Sequence, residues 1–407
     1  MKRERREVTP RSGRFPFCLL LGYLAVPQFR ANCENALFKF IDSPNMKSDC
    51  AFFSNQLDKE TQESLKLSLG YSKINSFYKP LFMEFNRSVT ATLTALDHFP
   101  DDCVRRNGII KARKQFLLGL NYATEKLEVK IALLAASTKR LFGKEIELRV
   151  NSEGQLDKSG FTLRERYPEI IFTNGDNGTA SVLNMEIDSL LLKSEIVSGK
   201  NTIIINGLGL LGLDSLEYLS EKNLDNSQII IISNHTKDLK QYAGYNQIRI
   251  NSNISDIDKN EIHKIRSIIN CTHNPEQIVT AEKINHIQNG QSINVIDVAV
   301  PYGFPKTEFD KCNNVFRQDG GNAYFGDSLE FFFNPKMCGL TENVLYGCFA
   351  ETIALSTYLK EHPAELEEVK KMDFFNVNRT TKQFIKKLFD KYKIGIAPTP
   401  YNFMEKL

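Results

Sequence analysis

The stretch Lys200-Asn-Thr-Ile-Ile-Ile-Asn-Gly-Leu-Gly-Leu-Leu-Gly212 decides how the rest of the sequence is interpreted. Its β-branched run, 202–205, predicts a buried strand, and residues 213–221 predict a helix after it. Between them the glycines have dinucleotide-turn spacing: the first permits a tight turn, the second admits a pyrophosphate and the third lets the helix pack on the strand. We therefore predict that the cofactor-binding residues include Gly207, Gly209, Leu210, Leu211 and Gly212.

The residues after the next strand indicate which dinucleotide is bound. The isoleucine run within 227–233 is typical of a strand buried on both faces. Its tip, Ser233-Asn-His-Thr-Lys237, has no carboxylate to accept the ribose 2′-hydroxyl of NADH. Ser233, Asn234 and Lys237 offer a 2′-phosphate a hydroxyl, an amide and a cation, so the sequence favours NADPH.

Alternating strands and helices continue through 248–250, 267–271 and 292–300. This pattern predicts an α/β fold class with a doubly wound, Rossmann-type parallel sheet. Ligands of such sheets lie at the carboxyl ends of the strands. The remaining predicted cofactor contacts are therefore Cys271, Thr272, Asp297 and Val300.

We predict four segments in the chain. They are a disordered basic tail (1–14), an N-terminal α+β domain (15–195), the Rossmann domain (196–340) and C-terminal helices that return to the cleft (341–407). Within them we predict a strand at 17–24 and helices at 58–69, 107–142, 179–192, 341–360 and 376–392. A short strand at 145–150 belongs to an apparent insertion, 144–168, and a polar helix extends through 262–265.

Composition, charge and cysteine spacing argue against several classes of function. The 407 residues are 42% hydrophobic and 25% charged, which suits two globular domains. The net charge of +3 gives no electrostatic case for nucleic acid, because six basic and two acidic residues fall in 1–14 and leave about −1 for the rest (3 − 4). The eight cysteines have no metal-ligand spacing, so we expect reduced thiols, no metal site and a cytoplasmic protein. No apolar run is long enough to span a bilayer.

Two features have more than one interpretation. The basic residues that open the long predicted helix form either a solvated face or a docking surface for an acidic partner; they are Arg105, Arg106, Lys111, Arg113 and Lys114. Cys348 falls on an apolar helical stripe, where a cysteine is usually an inert small hydrophobe. A helix beginning at Thr341 would put this cysteine in the second turn, beyond most of the helix dipole.

The run Leu345-Tyr-Gly-Cys-Phe-Ala-Glu-Thr-Ile-Ala354 resembles the Cys-Phe-Ala-Glu helix of the cyanobacterial long-chain acyl-[acyl-carrier-protein] reductases, which form fatty aldehydes. Other similar stretches follow in the same order across residues 17–360. They are Phe17 to Leu24, Ala112-Arg-Lys114, Gly175-Asp-Asn-Gly-Thr-Ala180, the glycine turn, Val295 to Tyr302 and Asp319-Gly-Gly-Asn322. The chain departs from the family at Asn322-Ala-Tyr-Phe-Gly326, in the insertion and after Glu361.

The resemblance implies that Cys348 is the nucleophile that takes the acyl group as a thioester, which NADPH then reduces to an aldehyde. It also implies an acyl site in the N-terminal domain and a fatty acyl thioester substrate, carried by acyl carrier protein or coenzyme A. Docking of the carrier protein on the basic cluster would follow. Cys271 is the second candidate thiol.

Three alternatives remain open. The stretch Asp297-Val-Ala-Val-Pro301 also resembles glutamyl-tRNA reductase, whose cysteine lies in its N-terminal domain. Shikimate-dehydrogenase-like enzymes share the sheet but use a lysine and an aspartate of an N-terminal α/β domain, which the sequence does not locate. A non-catalytic NADP-sensing module would keep only the sheet.

Overall fold

A computed structural model describes most of the chain beyond residue 46. The predicted tail, the strand at 17–24, the helix at 58–69, and Asn234, Lys237 and Val300 lie outside the described residues. The described ranges are 47–55, 73–74, 77–78, 80–97, 105–193, 202–222, 228–233, 248–251, 253–258, 262, 264–272, 274–288, 290–299, 302–332, 335, 341–398, 401–402 and 405–406.

The strands are named in chain order. They are β1 (Cys50–Asn55), β2 (Lys73–Ile74), β3 (Phe77–Tyr78), β4 (Leu81–Phe85), β5 (Val89–Leu96), β6 (Ile131–Leu134), β7 (Ile171–Thr173), β8 (Thr202–Asn206), β9 (Gln228–Ile232), β10 (Ile248–Asn251), β11 (Ile265–Asn270), β12 (Ile293–Asp297), β13 (Val315–Asp319), β14 (Asn322–Tyr324), β15 (Leu329–Phe331), β16 (Val344–Tyr346), β17 (Gly395–Ile396), β18 (Tyr401–Asn402) and β19 (Glu405–Lys406).

The helices are α1 (Arg106–Lys126), α2 (Leu163–Arg166), α3 (Asp176–Lys193), α4 (Leu210–Glu221), α5 (Ala281–Gln288), α6 (Lys306–Phe309), α7 (Gly347–Glu361), α8 (Leu366–Lys370) and α9 (Arg379–Tyr392). Short 3-10 turns include Ala136–Arg140. Among the described residues, no helix is both long and apolar enough to cross a membrane.

The second half of the chain forms the predicted Rossmann-type sheet. Its strand order is β10-β9-β8-β11-β12-β13, with parallel pairing throughout. Read in chain order this is 3-2-1-4-5-6, the arrangement typical of dinucleotide-binding sheets. Ile203 and Ile205 enter the core on one face and Ile204 enters the core on the other. Because both faces are covered, the strands are apolar runs rather than alternating patterns, and the fold class is confirmed.

The first half forms a mixed sheet, with β5, β1, β6 and β7 parallel and β4 and β15 antiparallel at one edge. One face packs against α7 and α9, and the other packs against α1. Strand β15 comes from residues 329–331, so the chain has returned to the first sheet before the boundary predicted at 340.

Helix α3 lies between the two sheets and belongs to both cores. Its Val182 packs into the core of the first sheet, whereas Leu183 and Ile187 pack into the core of the Rossmann-type sheet. A helix with apolar residues on opposite faces is buried on both sides. The N-terminus of α3 is therefore fixed at the junction of the two sheets.

The long helix predicted over 107–142 is wrong beyond residue 126. Helix α1 ends at Lys126, and Glu128 has a φ of 58°, which turns the chain out of the helix. Residues 131–134 form β6, and all four are buried. Leucine and alanine recur there at a spacing compatible with a helix, and periodicity alone does not separate a short buried strand from a helix.

The helix predicted from Thr341 begins six residues later, at Gly347. Residues 344–346 instead form β16, which pairs antiparallel with β14. The strand predicted at 145–150 is wrong, because Val150 makes only isolated bridges to Leu156 and Phe161. The helix predicted through 262–265 is correct at Ile262 and wrong at Ile265, which opens strand β11. The predicted helices over 179–192 and 376–392 correspond to α3 and α9.

Candidate active site at the junction of the two sheets

The glycine turn between β8 and α4 has the geometry of a pyrophosphate cradle. Gly207 has a φ of 94°, and a Cβ there would lie 2.5 Å from the Thr272 Cβ. A Cβ on Gly212 would lie 1.9 Å from the Gly207 carbonyl oxygen, so helix and strand pack as the pattern requires. A Cβ on Gly209 would meet no atom within 4 Å, and Leu210 beside it is 40% exposed. The turn is tight behind the backbone and open in front of it, which fits a bound dinucleotide.

The other predicted cofactor residues lie along the same carboxyl edge, but most are turned inward. Ser233 follows β9 and is buried, and Cys271 packs behind the turn with Leu211 and partly buried Leu208. Burial raises the pKa of the Cys271 thiol to about 12. Of these, Thr272 contacts the glycine turn directly. The cofactor contacts assigned to these residues stay predictions.

Asp297 belongs to a buried polar network beneath this edge. Its carboxylate accepts hydrogen bonds from Asn270 Nδ2 (2.7 Å), Phe304 N (2.8 Å) and Arg317 Nη2 (3.0 Å). Arg317 also pairs with Asp319, and Asn206 Nδ2 donates to Asn270 Oδ1 at 2.7 Å. The network thereby joins the last residues of four neighbouring strands, β8, β11, β12 and β13. The network fixes the shape of the edge, because breaking a buried pair leaves an uncompensated charge.

Cys348 is the second residue of a helix whose first residue is bonded to this same edge. The Gly347 amide donates to the Gly321 carbonyl at 2.8 Å, and Gly321 belongs to the Gly-Gly turn that follows β13. A Cβ on Gly321 would lie 3.0 Å from Val298 Cγ2, at the end of β12. The start of α7 is therefore connected through Gly321 to Val298, at the strand ends where ligands of such sheets are held.

Cys348 lies in the first turn of α7, where the helix dipole is strongest. The sequence predicted Cys348 in the second turn of the helix. This prediction is wrong, because α7 begins at Gly347 and Cys348 is its second residue. The N-cap residue, Tyr346, makes no side-chain capping bond, and a helix N-terminus without such a cap favours negative charge nearby. Next to Cys348, the Phe349 ring stacks on Phe52 of β1 with centroids 4.4 Å apart. The helix start is thus anchored on the first sheet.

The N-terminus of α3 packs directly against Cys348. A Cβ on Gly175 would lie 2.2 Å from the Cys348 Cβ, and one on Gly178 would lie 2.4 Å from the Gly347 carbonyl oxygen. Gly175 has a φ of 73°. Two glycines thus allow the starts of α3 and α7 to approach more closely than any side chain permits.

Two buried carboxyl groups hold the backbone around Cys348 in place, one at the start of α3 and one at the Gly-Gly turn after β13. Glu351 accepts hydrogen bonds from the Gly178 amide (2.6 Å) and from the Thr173 hydroxyl, and Glu186 accepts one from the Gly321 amide (2.8 Å). Burial raises the pKa of each of these carboxyl groups to about 8. Both accept hydrogen bonds from backbone amides, so we infer that they position the backbone around Cys348.

An ion pair borders the thiol. Lys139 Nζ lies 3.1 Å and 3.3 Å from the two carboxylate oxygens of Asp176, the first residue of α3. The Lys139 side chain is 39% exposed and the Asp176 side chain 10%. Burial, and secondarily the Asp176 charge, raise the pKa of the Cys348 thiol to about 12, while the Lys139 charge lowers it. The resting residue is therefore a thiol, mainly because it is buried, and the two charges of the pair act on its ionisation in opposite directions.

Sequence reasoning missed Lys139 and Asp176. Lys139 lies in the range 107–142 that was predicted as one helix, whereas the structure places it in a 3-10 turn after β6. Asp176 stood in the recognised Gly175–Ala180 stretch but received no role. A glycine-containing loop that leads from a strand into a helix was the available signal, since ligands collect at such ends. Among the described residues, no group of three or more His, Cys, Asp or Glu side chains could hold a metal ion.

The basic cluster on α1 is only partly available as a surface. Arg113 is buried, with its Nε donating to the Leu141 carbonyl, and burial lowers the pKa of its guanidinium. Its predicted place on a docking face is wrong, because it packs between α1 and the segment after β6. Lys114 pairs with Glu153, and Arg105, Arg106 and Lys111 are exposed.

No protein-family model and no curated protein sequence matches the chain. Among solved structures it is similar to L-tryptophan dehydrogenase from Nostoc punctiforme, with 10% identity, 86% of this chain and 90% of that chain covered, and a TM-score of 0.34. It is also similar to shikimate dehydrogenase from Aquifex aeolicus (11%, 80% and 98% covered, TM-score 0.30) and to the NAD-dependent malic enzyme from Thermotoga maritima (12%, 95% and 95% covered, TM-score 0.33). Similarities this weak assign neither a family nor an activity.

Proposed function

We propose that the chain is an NADPH-dependent reductase that converts fatty acyl thioesters to aldehydes through a thioester on Cys348. One observation carries the proposal most directly: the helix that begins with Gly347 and Cys348 is hydrogen-bonded to the turn leaving the Rossmann-type sheet. This arrangement supports a reaction between a cysteine-bound acyl group and a cofactor held at the strand ends.

The glycine turn supports a dinucleotide, because the space in front of Gly209 is open and the start of α4 faces it. We expect Gly207, Gly209 and Gly212 to hold the pyrophosphate. The strand tip Ser233-Asn-His-Thr-Lys237, which lacks a carboxylate, favours a 2′-phosphate and so NADPH over NADH. When bound, NADPH would supply the hydride.

The residues around Cys348 suit acyl capture. The N-terminus of α7 stabilises a developing thiolate, and its dipole stabilises the oxyanion that forms when the sulfur attacks a carbonyl. On the inner side, Phe349 and Tyr346 pack into the apolar core of the first sheet, which keeps water from that side of the sulfur. Covalent capture divides one difficult reduction into two easier steps.

Aldehyde formation tests the proposal. Purified protein is incubated with NADPH and a panel of acyl carrier protein and coenzyme A thioesters, and aldehydes are measured by gas chromatography. The wild type and a Cys312→Ala control should form aldehyde, whereas Cys348→Ala should form none. Equal aldehyde formation by Cys348→Ala would exclude the thioester route.

The Lys139–Asp176 pair favours a second candidate, a dehydrogenase of a small polar alcohol. Shikimate-dehydrogenase-like enzymes use a lysine and an aspartate of an N-terminal α/β domain, and here such a pair lies in the first domain beside α3. Lysine can transfer the hydroxyl proton in an alcohol oxidation. This candidate predicts turnover that survives Cys348→Ala and is lost in Lys139→Met, which is the opposite dependence on Cys348.

A further inference from the structure

We infer that Lys139 and Asp176 are the proton-transfer pair of Cys348, with Asp176 accepting the thiol proton and Lys139 donating a proton to the departing thiol of the acyl carrier. The inference rests on the proposed function and names the groups that make its first step possible. It concerns residues to which the sequence motifs assigned no role.

The placement of the pair supports this role. Asp176 directly follows Gly175, whose backbone is packed on Cys348, so the start of α3 holds Asp176 next to the residue that carries the thiol. Lys139 follows β6 in the 3-10 turn Ala136–Arg140 and reaches across to both oxygens of Asp176. The carboxylate is mostly buried and the ammonium group reaches solvent. The pair therefore connects a mostly buried carboxylate, next to Cys348 in the fold, with an ammonium group that can exchange protons with water.

A second carboxyl group near the thiol, that of Glu351, is closed off from solvent. Glu351 lies on α7 itself, but both of its oxygens accept hydrogen bonds, one from Thr173 and one from Gly178. It stabilises the start of α3 and is fully buried. Of the side chains whose charges act on Cys348, Glu351 thus has no contact with solvent, whereas Asp176 is bonded to a lysine that reaches it.

The step balances within the pair. As Cys348 Sγ bonds to the acyl carbon, its proton passes to the Asp176 carboxylate, and the bond between the acyl carbon and the carrier sulfur breaks. Lys139 donates a proton to that sulfur and becomes a neutral amine. Proton transfer from Asp176 to Lys139, over the 3.1 Å between them, restores the ion pair. No oxidant or reductant takes part in this half of the reaction.

Alkylation of Cys348 by iodoacetamide across a range of pH tests the pair without substrate or cofactor. Lys139→Gln removes a cation and should shift the profile to higher pH, slowing alkylation about tenfold at fixed pH for each unit of thiol pKa. Asp176→Asn removes an anion and should shift it to lower pH. Opposite shifts are expected only if both charges act on the sulfur; shifts in one direction, or none, would overturn the inference. Lys144→Gln is the control for an exposed lysine.

Acyl transfer supplies the second measurement. Lys139→Arg keeps the positive charge but cannot release a proton at neutral pH, so its alkylation profile should match the wild type within about threefold. Single-turnover acylation of Cys348, followed by mass spectrometry without NADPH, should slow at least about a hundredfold. Unchanged acylation in this variant would exclude Lys139 as the donor. Absence of any acyl adduct in the wild type would count against the proposed function instead, while the alkylation profiles would still decide the pairing.

Discussion

Gly175 and Cys348 are in backbone contact: a Cβ placed on Gly175 would lie 2.2 Å from the Cys348 Cβ and 2.5 Å from its Cα. The close approach of α3 and α7 at the candidate site depends on this contact. The two helices come from segments that are far apart in the chain, and Gly175 also has a φ of 73°. Its side chain must be absent for the site to close.

Gly175→Ala should therefore destabilise the protein more than its backbone conformation alone explains. Gly290 is a matched control, because its φ is 75° and a Cβ there meets nothing within 4 Å. We expect Gly290→Ala to cost about 1–2 kcal/mol from left-handed strain and Gly175→Ala about 1–3 kcal/mol more from overpacking. Urea unfolding measures both. Equal losses would show that the contact with Cys348 contributes nothing.

Substitutions of two glycines of the turn should have different effects on stability and on NADPH affinity. Gly209→Ala places a methyl group in open space, so we expect an unchanged melting temperature and NADPH affinity at least about tenfold weaker, because the methyl group blocks the pyrophosphate. Gly212→Ala would collide with the Gly207 carbonyl and should lower both stability and affinity. Titration of NADPH fluorescence and thermal unfolding give the two readouts. Full affinity in Gly209→Ala would place the dinucleotide elsewhere.

Stability should fall as pH rises from about 4.5 to about 8. Burial raises the pKa of Glu351 and of Glu186 from 4.5 to about 8, so the folded protein keeps protons that the unfolded chain has released. Their contribution is complete below pH 4.5 and is lost above pH 8, and each carboxyl changes the free energy of unfolding by up to about 1.4 kcal/mol per pH unit between these limits. Glu351→Gln keeps both bonding positions and removes the ionisation. It should flatten the profile, and an unchanged slope would contradict the assignment.

The exposed basic residues at the start of α1 allow a test of carrier docking. Arg106→Glu together with Lys111→Glu should raise KM for acyl carrier protein several-fold and leave KM for NADPH unchanged, because the carrier is acidic and the steering is electrostatic. Lys387→Glu, an exposed reversal on α9, is the control. Equal effects of both reversals would indicate a general charge effect instead of a docking face.

The sequence predicted the Rossmann-type half of the fold well because its signals are local. The isoleucine runs and the glycine spacing each fit within a dozen residues, and β8, α4 and β9 follow from them directly. Of the first sheet the sequence indicates β7, as the run Glu169-Ile-Ile-Phe-Thr173 before the glycine-containing loop. The order of this sheet was not predicted, since its strands are short and the last of them, β15, comes from residue 329 onward. Its buried run 131–134 also resembles a helix in composition.

The candidate site was predictable only in part, for the same reason. Cys348 could be selected through a resemblance, but its position in the first turn of α7 depends on pairing between β14 and β16. Lys139 and Asp176 meet through tertiary structure across 37 residues of chain. The buried network around Asp297 likewise joins strand ends that no local pattern relates. Contacts of this kind are set by topology, which a single sequence does not display.

The most direct measurement isolates the acyl-enzyme before any reduction. Protein incubated with an acyl thioester is freed of substrate, shown by peptide mass spectrometry to carry the acyl group on Cys348, and then mixed with NADPH alone. We predict loss of the adduct and release of about one equivalent of aldehyde per modified cysteine. An adduct on Cys348 that persists in saturating NADPH, or aldehyde formed from protein with no adduct there, would contradict the account.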